Sequence, residues 1–136
     1  MKDRLTKEHR SWNMARIKGR DTAPERQVRS MIHAMGVRFR LHPYGLPGKP
    51  DLVLTSRKLV VFVHGCFWHR HRGCKFAYTP KTRIEFWSRK FARNVARDEE
   101  VKKLLRKLGW KHLTVWECEL TKPDRVHRRL NKALFD

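Results

Sequence analysis

Residues 64–74 read HGCFWHRHRGC, and this mixture of three histidines, two cysteines and two large aromatic side chains is more than any ordinary strand, helix or turn needs. Cys66, His71 and Cys74 have C-x4-H-x2-C spacing, and Cys118, at the end of a later apolar segment, could supply a fourth metal ligand. Three thiolates and one imidazole with no open position form a structural zinc site, which here would fix the loop to a distant strand. The alternative is three free buried thiols, because free cysteine is a frequent core residue.

Two histidines of the same segment, His64 and His69, stay outside the predicted zinc site. Histidine can move a proton near neutral pH or contact a scissile phosphate. If the loop folds back on the preceding strand, both side chains face one pocket and form an acid–base site. The alternative for each is a surface or phosphate-binding histidine.

Two carboxylates are candidates for the chemistry. Asp51 follows GKP at the start of an apolar strand in a chain with few acidic residues, and a bound cation would explain an acid at that position. The alternative is a strand residue that accepts hydrogen bonds from its turn. Glu25 lies three residues after Thr22, and a helix capping box alone accounts for that spacing.

Phe67 and Trp68 are neighbours within the metal-binding segment. On a β-like segment two neighbours cannot both point into one core, so we expect at least one of them to be exposed. Exposed rings in a strongly basic protein indicate insertion between bases of a duplex. Trp87 and Met14 could add to such a wedge, although Trp87 lies on an apolar helical stripe, where core packing is the alternative.

The charge balance indicates the class of partner. The 136 residues include 33 Lys and Arg against 13 Asp and Glu, a formal charge of +20, which favours a nucleic acid partner. A membrane surface is disfavoured, because the sequence has neither a run of about 18 apolar residues nor a helix with one clean basic face. The N-terminus lacks the apolar core of a signal peptide, so we expect a cytoplasmic protein.

One domain spanning residues 1–136 is expected from the length, with residues 1–20 as a basic arm or helix that contacts DNA. The apolar periodicities predict a mixed sheet flanked by helices. The predicted elements are a helix over 21–36, a half-buried strand at 37–42, a hairpin of DLVLT (51–55) and KLVVFVHG (58–65), one long helix or two joined near Asp98 over 82–108, a strand at 112–117, and a basic helix over 123–134.

The chain resembles the very short patch repair (Vsr) endonucleases, strand-specific nicking enzymes that act on T:G mismatches in bacteria. The segments that carry this resemblance, in family-like order and spacing, are NM at 13–14, DTAPE at 21–25, LPGKPDLV at 46–53, HGCFWHRH at 64–71, TRIEFW at 82–87, NVARD at 94–98 and GWKHLTVWEC at 109–118. They cover about residues 10–120, and HGCFWH after a PD dipeptide is far rarer than a generic metal motif.

The resemblance implies a restriction-endonuclease-like α/β fold of the PD-(D/E)xK type, with catalytic Mg²⁺ and structural Zn²⁺. It makes Asp51 the magnesium ligand, His69 the base that activates water, His64 its partner at the scissile phosphate, and Glu25 an organiser of water bound to the metal. It makes Cys66, His71, Cys74 and Cys118 the zinc ligands, and Phe67, Trp68, Trp87 and Met14 the residues that enter the DNA.

The sequence departs from the family pattern at two positions. Val63 stands where the family usually has threonine, and it keeps only its backbone carbonyl as an oxygen ligand for magnesium, so metal affinity and metal choice are open. Gly73 is an extra residue between His71 and Cys74. Glycine absorbs an insertion in a loop, so we expect the zinc site to survive.

The expected function is nicking of one strand next to the thymine of a T:G mismatch, which initiates very short patch repair. The expected partner is double-stranded DNA containing a mismatch, and we also expect transient contact with mismatch-repair proteins. We expect the protein to be a monomer that associates with the bacterial nucleoid. The alternatives are a nuclease of the same fold with another DNA target and a zinc-stabilised DNA-binding module without catalysis.

Overall fold

The computed structural model describes residues 22–41 and 45–135. The predicted basic arm over residues 1–20, which includes Met14, lies outside the described residues, as do residues 42–44. Within the described part, no helix is long and apolar enough to cross a membrane.

A four-stranded mixed sheet forms the centre of the fold, with strands in the order β1-β2-β3-β4. Strands β1 and β2 and strands β2 and β3 pair antiparallel, whereas β3 and β4 pair parallel. The predicted hairpin is confirmed as β2 and β3, which a short 3-10 turn connects. The strand bounds are Arg40–Leu41 for β1, Leu52–Leu54 for β2, Leu59–His64 for β3 and Lys111–Trp116 for β4.

The predicted strand at 37–42 is wrong in length, because of its described residues, 37–41, only Arg40–Leu41 pairs with the sheet. Its partner β2 has only three residues, and only Leu52 and Val53 of β2 are opposite β1, so there is little backbone for a longer ladder.

Over residues 22–41 and 45–135, three helices flank the sheet: α1 (Ala23–Ala34), α2 (Ile84–Lys107) and α3 (Pro123–Phe135). Helix α1 begins after Thr22, whose hydroxyl accepts a hydrogen bond from the backbone N–H of Glu25 at 3.4 Å, as the capping pattern predicts. Helix α2 is one continuous helix of 24 residues, so the alternative of two helices joined near Asp98 is wrong.

The sheet has a core on each face. Strand β3 is apolar along most of its length because it is buried on both sides, and its successive side chains alternate between the two cores. The larger core, between the sheet and helices α1 and α3, includes Val28, Ile32, Leu52, Leu59, Val61, Val115, Val126 and Leu130. The smaller core, between the sheet and α2, consists of Val53, Val60, Phe62 and Leu105, with Leu46, Val101 and Trp110 packed against it.

The loop that leads into β2 packs closely against α2 at Gly48. A Cβ atom at this position would lie 2.4 Å from Cγ1 of Val101, and the backbone has a φ of +78°. Only glycine meets both conditions without displacement. The close approach places buried Pro50 and then Asp51 at the start of β2.

Candidate active site and metal centre

The four predicted zinc ligands meet at one edge of the sheet. Cys66, His71 and Cys74 follow the end of β3, and Cys118 lies on a 3-10 segment, Glu117–Thr121, after β4. Because β3 and β4 are parallel, both segments leave the sheet at the same edge. One ligand atom from each of the four residues lies within 4.8 Å of all the others. The Cys118 sulfur is 3.3 Å from Nδ1 of His71, and the Cys118 backbone N–H donates to the Cys66 sulfur at 3.4 Å.

The donor set of this metal cluster fits zinc, which prefers thiolate and imidazole ligands in a closed tetrahedral site. Burial raises the pKa of the Cys66 thiol to about 12, so a metal ion must displace its proton to bind there. The inserted residue, Gly73, has a φ of +74°, a backbone conformation that glycine adopts without strain.

The 3-10 segment that carries Cys118 is fixed to the rest of the fold by Arg129 of α3. One guanidinium nitrogen donates to both oxygens of Glu119, at 2.6 and 2.7 Å, and the other donates to the carbonyl of Thr114 at 2.8 Å. The Glu119 carboxylate also accepts from the backbone N–H of Trp116 at 2.9 Å. These charge-assisted hydrogen bonds hold the segment against β4 and α3.

His64 and His69 form a stacked pair next to the metal cluster. Their ring centroids are 3.7 Å apart and their planes differ by 5°. His69 Nδ1 lies 2.8 Å from Oδ2 of Asp98 on α2. A carboxylate only accepts, so Nδ1 carries the proton and Nε2 is left as an acceptor. One ring nitrogen of each histidine and a carboxylate oxygen of Asp98 lie within 4.8 Å of one another, so these three side chains could also hold a metal ion.

Electrostatics keep His64 neutral. Its side chain is buried, and the pKa is lowered to about 4, first by burial and then by the charge of His69. At neutral pH His64 is therefore an uncharged ring that can donate one N–H and accept at the other nitrogen.

The sequence patterns do not identify Asp98 as a site residue. It lies seven residues after buried Phe91 and so on the same, inward face of α2. An acid on the apolar stripe of a strongly basic helix is the signal that could have identified it.

Trp116 lies between the metal cluster and the histidine pair. Its indole stacks on the ring of His71 at 4.2 Å with planes 8° apart, and it meets His64 edge-on at 5.4 Å. The rings of a predicted zinc ligand and of a candidate catalytic group therefore contact the same side chain.

Asp51 and Glu25 form an acidic pair. The Asp51 carboxylate accepts from the backbone N–H of Val63 at 2.6 Å, and its own backbone N–H donates to the carbonyl of Val61 at 3.1 Å. Burial raises the pKa of Asp51 to about 7, and the charge of Glu25 and a hydrogen bond with Glu25 add to this shift. A carboxylate whose ionisation is made unfavourable by burial, next to the buried carboxyl of Glu25, fits a divalent cation, which would remove that cost. The carbonyl of Val63 as a magnesium ligand stays a prediction.

The position of Glu25 is not explained by helix capping alone. Its side chain is buried, interacts with Asp51, and accepts from the guanidinium of Arg29 at 3.3 Å. Asp51 binds the backbone N–H of Val63, and the next residue, His64, stacks on His69, so the acidic pair and the histidine pair lie side by side.

Phe67, Trp68 and Trp87 form an aromatic cluster beside this site. Phe67 meets Trp68 edge-on at 5.1 Å and Trp87 at 5.5 Å, and Trp68 lies 5.8 Å from Trp87. The expectation that Phe67 or Trp68 is exposed is wrong, because both are half-buried. Residues 66–70 are a turn and not a β-like segment, so neighbouring side chains can share one side.

Arg70 holds the aromatic cluster in place. Its backbone has a φ of +53°, and its guanidinium donates to the carbonyls of Phe67, Ala77 and Tyr78 at 3.3, 2.9 and 3.0 Å. The same guanidinium lies 3.9 Å above the ring of Phe91, a buried residue of α2. The turn is thus attached to α2 as well as to the metal cluster.

Comparison with known proteins gives consistent results. The family described as DNA mismatch endonuclease Vsr matches residues 2–75. The chain is 46% identical over 134 residues to the "Type II nicking enzyme V.XorIIP" of Xanthomonas oryzae pv. oryzae, covering 98% of both chains. It is 45% identical over 120 residues to the "DNA mismatch endonuclease Vsr" of Escherichia coli, covering 88% of this chain and 76% of that protein.

A solved structure shows the same fold. The catalytic domain of the homing endonuclease I-Bth0305I superposes with a TM-score of 0.59 at 21% identity, over 83% of this chain and 94% of that one. The predicted restriction-endonuclease-like fold, a mixed sheet flanked by helices, is confirmed.

Proposed function

The chain belongs to the Vsr family of DNA mismatch endonucleases, and we propose that it nicks one DNA strand next to the thymine of a T:G mismatch by metal-dependent phosphodiester hydrolysis, thereby initiating very short patch repair. The observation that carries this proposal is that the Asp51–Glu25 pair lies beside the His69–Asp98 pair. Asp51 binds the backbone N–H of Val63, and the next residue, His64, stacks on His69. Hydrolysis needs a group that takes a proton from water and a group that neutralises the phosphate, and the two pairs can supply one each.

Asp51 and Glu25 are the residues that would hold Mg²⁺, with the Val63 carbonyl. The ion would neutralise charge on the phosphate and stabilise the leaving oxygen. In the protein itself, the N–H of Val63 orients the Asp51 carboxylate, and Glu25 is held in turn by Arg29. Loss of the threonine hydroxyl at position 63 leaves both of these contacts intact.

His69 is assigned as the general base. Asp98 fixes its protonated Nδ1, so the free Nε2 takes a proton from the attacking water. Neutral His64 stacks on His69 and so helps to fix the position of that ring. It also offers an N–H to an oxygen of the scissile phosphate. This route needs no covalent protein intermediate.

The aromatic cluster is assigned as the wedge that enters the base stack beside the mismatch, together with Met14. Its proximity to the histidine pair supports this role, because Phe67 and Trp68 lie between His64 and His69 in sequence and their turn is held by Arg70. Apolar rings that unstack a base step allow mispaired bases to be contacted. Predicted zinc binding at the metal cluster stiffens the same turn.

Strand-resolved nicking with Mg²⁺ tests the proposal directly. We expect a T:G duplex to be cut in the thymine strand, leaving a 5′-phosphate, with other mismatches and perfect duplexes cut far more slowly. Equal cutting of paired and mismatched DNA would assign another DNA target. Tight binding without cutting, with Mg²⁺ or Mn²⁺, would favour a binding module, the reading that Val63 keeps open.

Asp98→Asn should lower the single-turnover nicking rate at least about 100-fold, because an amide can present its NH₂ to His69 and stabilise the wrong tautomer. The matched control is Glu99→Gln, the adjacent and exposed acid, whose carboxylate lies 3.4 Å from Nζ of Lys102. Its rate should stay within about twofold of the parent. Zinc content and DNA affinity should be unchanged in both variants, and a fully active Asp98→Asn protein would contradict the assigned base.

A further inference from the structure

The start of α2 carries a groove of about 590 Å³ that the candidate site does not use. We call it the α2 groove, and its main lining side chains are Lys81, Arg83, Ile84, Phe86, Arg89 and Arg93. It belongs to neither the metal cluster, the histidine pair nor the aromatic cluster. Its volume lies in the range of about 300–1,000 Å³ that ligand pockets have.

The α2 groove is strongly basic. The lining includes one acid, Glu85, whose carboxylate lies 3.6 Å from the guanidinium of Arg89. Within residues 22–41 and 45–135, Lys81, Arg83 and Arg93 form no salt bridge with an acidic side chain. Three cations are thus available to an anionic ligand.

The same groove exposes apolar surface. The side chain of Phe86 is 41% exposed and that of Ile84 is 59% exposed. The guanidinium of Arg83 lies 4.3 Å from the centre of the Phe86 ring. An accessible ring beside unpaired cations is the arrangement that binds unpaired nucleic acid, because a base stacks on the ring and phosphates meet the cations.

The groove adjoins the aromatic cluster. Phe86 contacts the neighbouring Trp87 edge-on, with ring centroids 5.2 Å apart. A nucleotide unstacked by the proposed wedge would therefore be released next to the groove. We propose that the α2 groove binds an unpaired segment of DNA strand beside the mismatch, with a base on Phe86 and phosphates on Arg83 and Arg93. This inference rests on the proposed function for the source of the unpaired strand.

Two other occupants match the groove less well. The backbone of a paired duplex offers charge but hides its base faces, so Phe86 would contribute nothing. The chain's own N-terminal segment, residues 1–20, contains seven Lys and Arg against two Asp and Glu, and so has the wrong charge for a basic groove.

The test is the affinity of the full-length protein for a fluorescein-labelled octathymidylate, measured by anisotropy at fixed salt. Phe86→Ala removes the ring and keeps the charge, and Arg93→Gln removes charge and keeps the ring. The charge-matched control is Arg128→Gln, an exposed residue of α3 on the other face of the sheet. Phe86→Trp is the conservative variant that restores stacking.

We expect Phe86→Ala to weaken binding at least about fivefold, in line with the loss of one stacked base. Arg93→Gln should weaken binding about threefold or more, Arg128→Gln less than about twofold, and Phe86→Trp should bind like the parent. If Arg93→Gln weakens binding and Phe86→Ala does not, the groove contacts only backbone and the inference is wrong. Equal losses in Arg93→Gln and Arg128→Gln overturn it as well, because they indicate diffuse charge.

Nicking of a T:G duplex by the unmodified protein, measured in parallel, separates this inference from the proposed function. Absence of nicking contradicts the proposed function and leaves the oligonucleotide affinities valid. If the unmodified protein nicks normally and Phe86→Ala binds the oligonucleotide like the parent, the inference about the α2 groove is wrong and the proposed function is unaffected.

Discussion

Asp51→Asn is expected to abolish nicking and at the same time to stabilise the metal-free protein at pH 8. The pKa of Asp51 is raised in the folded protein from 3.8 to about 7, first by burial and then by Glu25. A folded-state pKa above the unfolded value means that stability falls as pH rises from about 3.8 to about 7. At pH 8 the ionised carboxylate costs up to about 4 kcal/mol, and the uncharged asparagine removes that cost while its oxygen still accepts from Val63.

Thermal unfolding in EDTA-free, magnesium-free buffer measures this effect. The midpoint of Asp51→Asn at pH 8 should exceed that of the parent by roughly 5 °C or more, and the difference should disappear near pH 4. Mg²⁺ should raise the midpoint of the parent at pH 8 but not that of the variant. Glu99→Gln, which removes an exposed acid, should show no such gain. A variant that is less stable at pH 8, or that still nicks at the parental rate, would refute the assignment.

Cys118→Ala is expected to release zinc and to destabilise the protein by at least about 3 kcal/mol. The cluster joins the turn after β3 to the 3-10 segment after β4, and in a reducing environment no other covalent link connects them. Without the fourth ligand the Cys66 thiol favours its protonated form, because burial raises its pKa to about 12.

Zinc content and unfolding midpoints check this expectation. Chelator treatment of the parent should lower its midpoint to that of Cys118→Ala and should leave the variant unchanged. Cys118→His, which keeps a zinc-binding side chain, should retain part of the metal and part of the stability. If Cys118→Ala keeps one zinc per chain and the parental midpoint, Cys118 is no ligand.

Helices and hairpins could be predicted from the sequence because residues within each of them determine where it forms. Helix α1 has a cap and an apolar stripe, and the β2–β3 hairpin has two apolar runs around a polar turn. The sequence also predicted which side chains form the metal cluster, and the structure brings these three cysteines and one histidine together.

The relations between elements could not be read in this way. The contact of Asp98 with His69 depends on how α2 is rotated about its axis over the sheet, which its own periodicity leaves open. Phe67 and Trp68 both contact Trp87 on a turn in which Arg70 has a left-handed backbone, and nothing about an arginine predicts a positive φ. Glu25 shows the same limit, because its capping spacing conceals its contact with Asp51.

The packing of Gly48 against Val101 has a consequence for how the two halves of the candidate active site are held together. Val101 lies three residues after Asp98, so one turn of α2 both anchors the partner of His69 and supports the loop that ends in Asp51. The proposed general base, His69, and the proposed metal-binding acid, Asp51, come from segments far apart in sequence, yet the same turn of α2 supports both. One helix therefore holds both segments in place, and this arrangement is present in the protein without DNA.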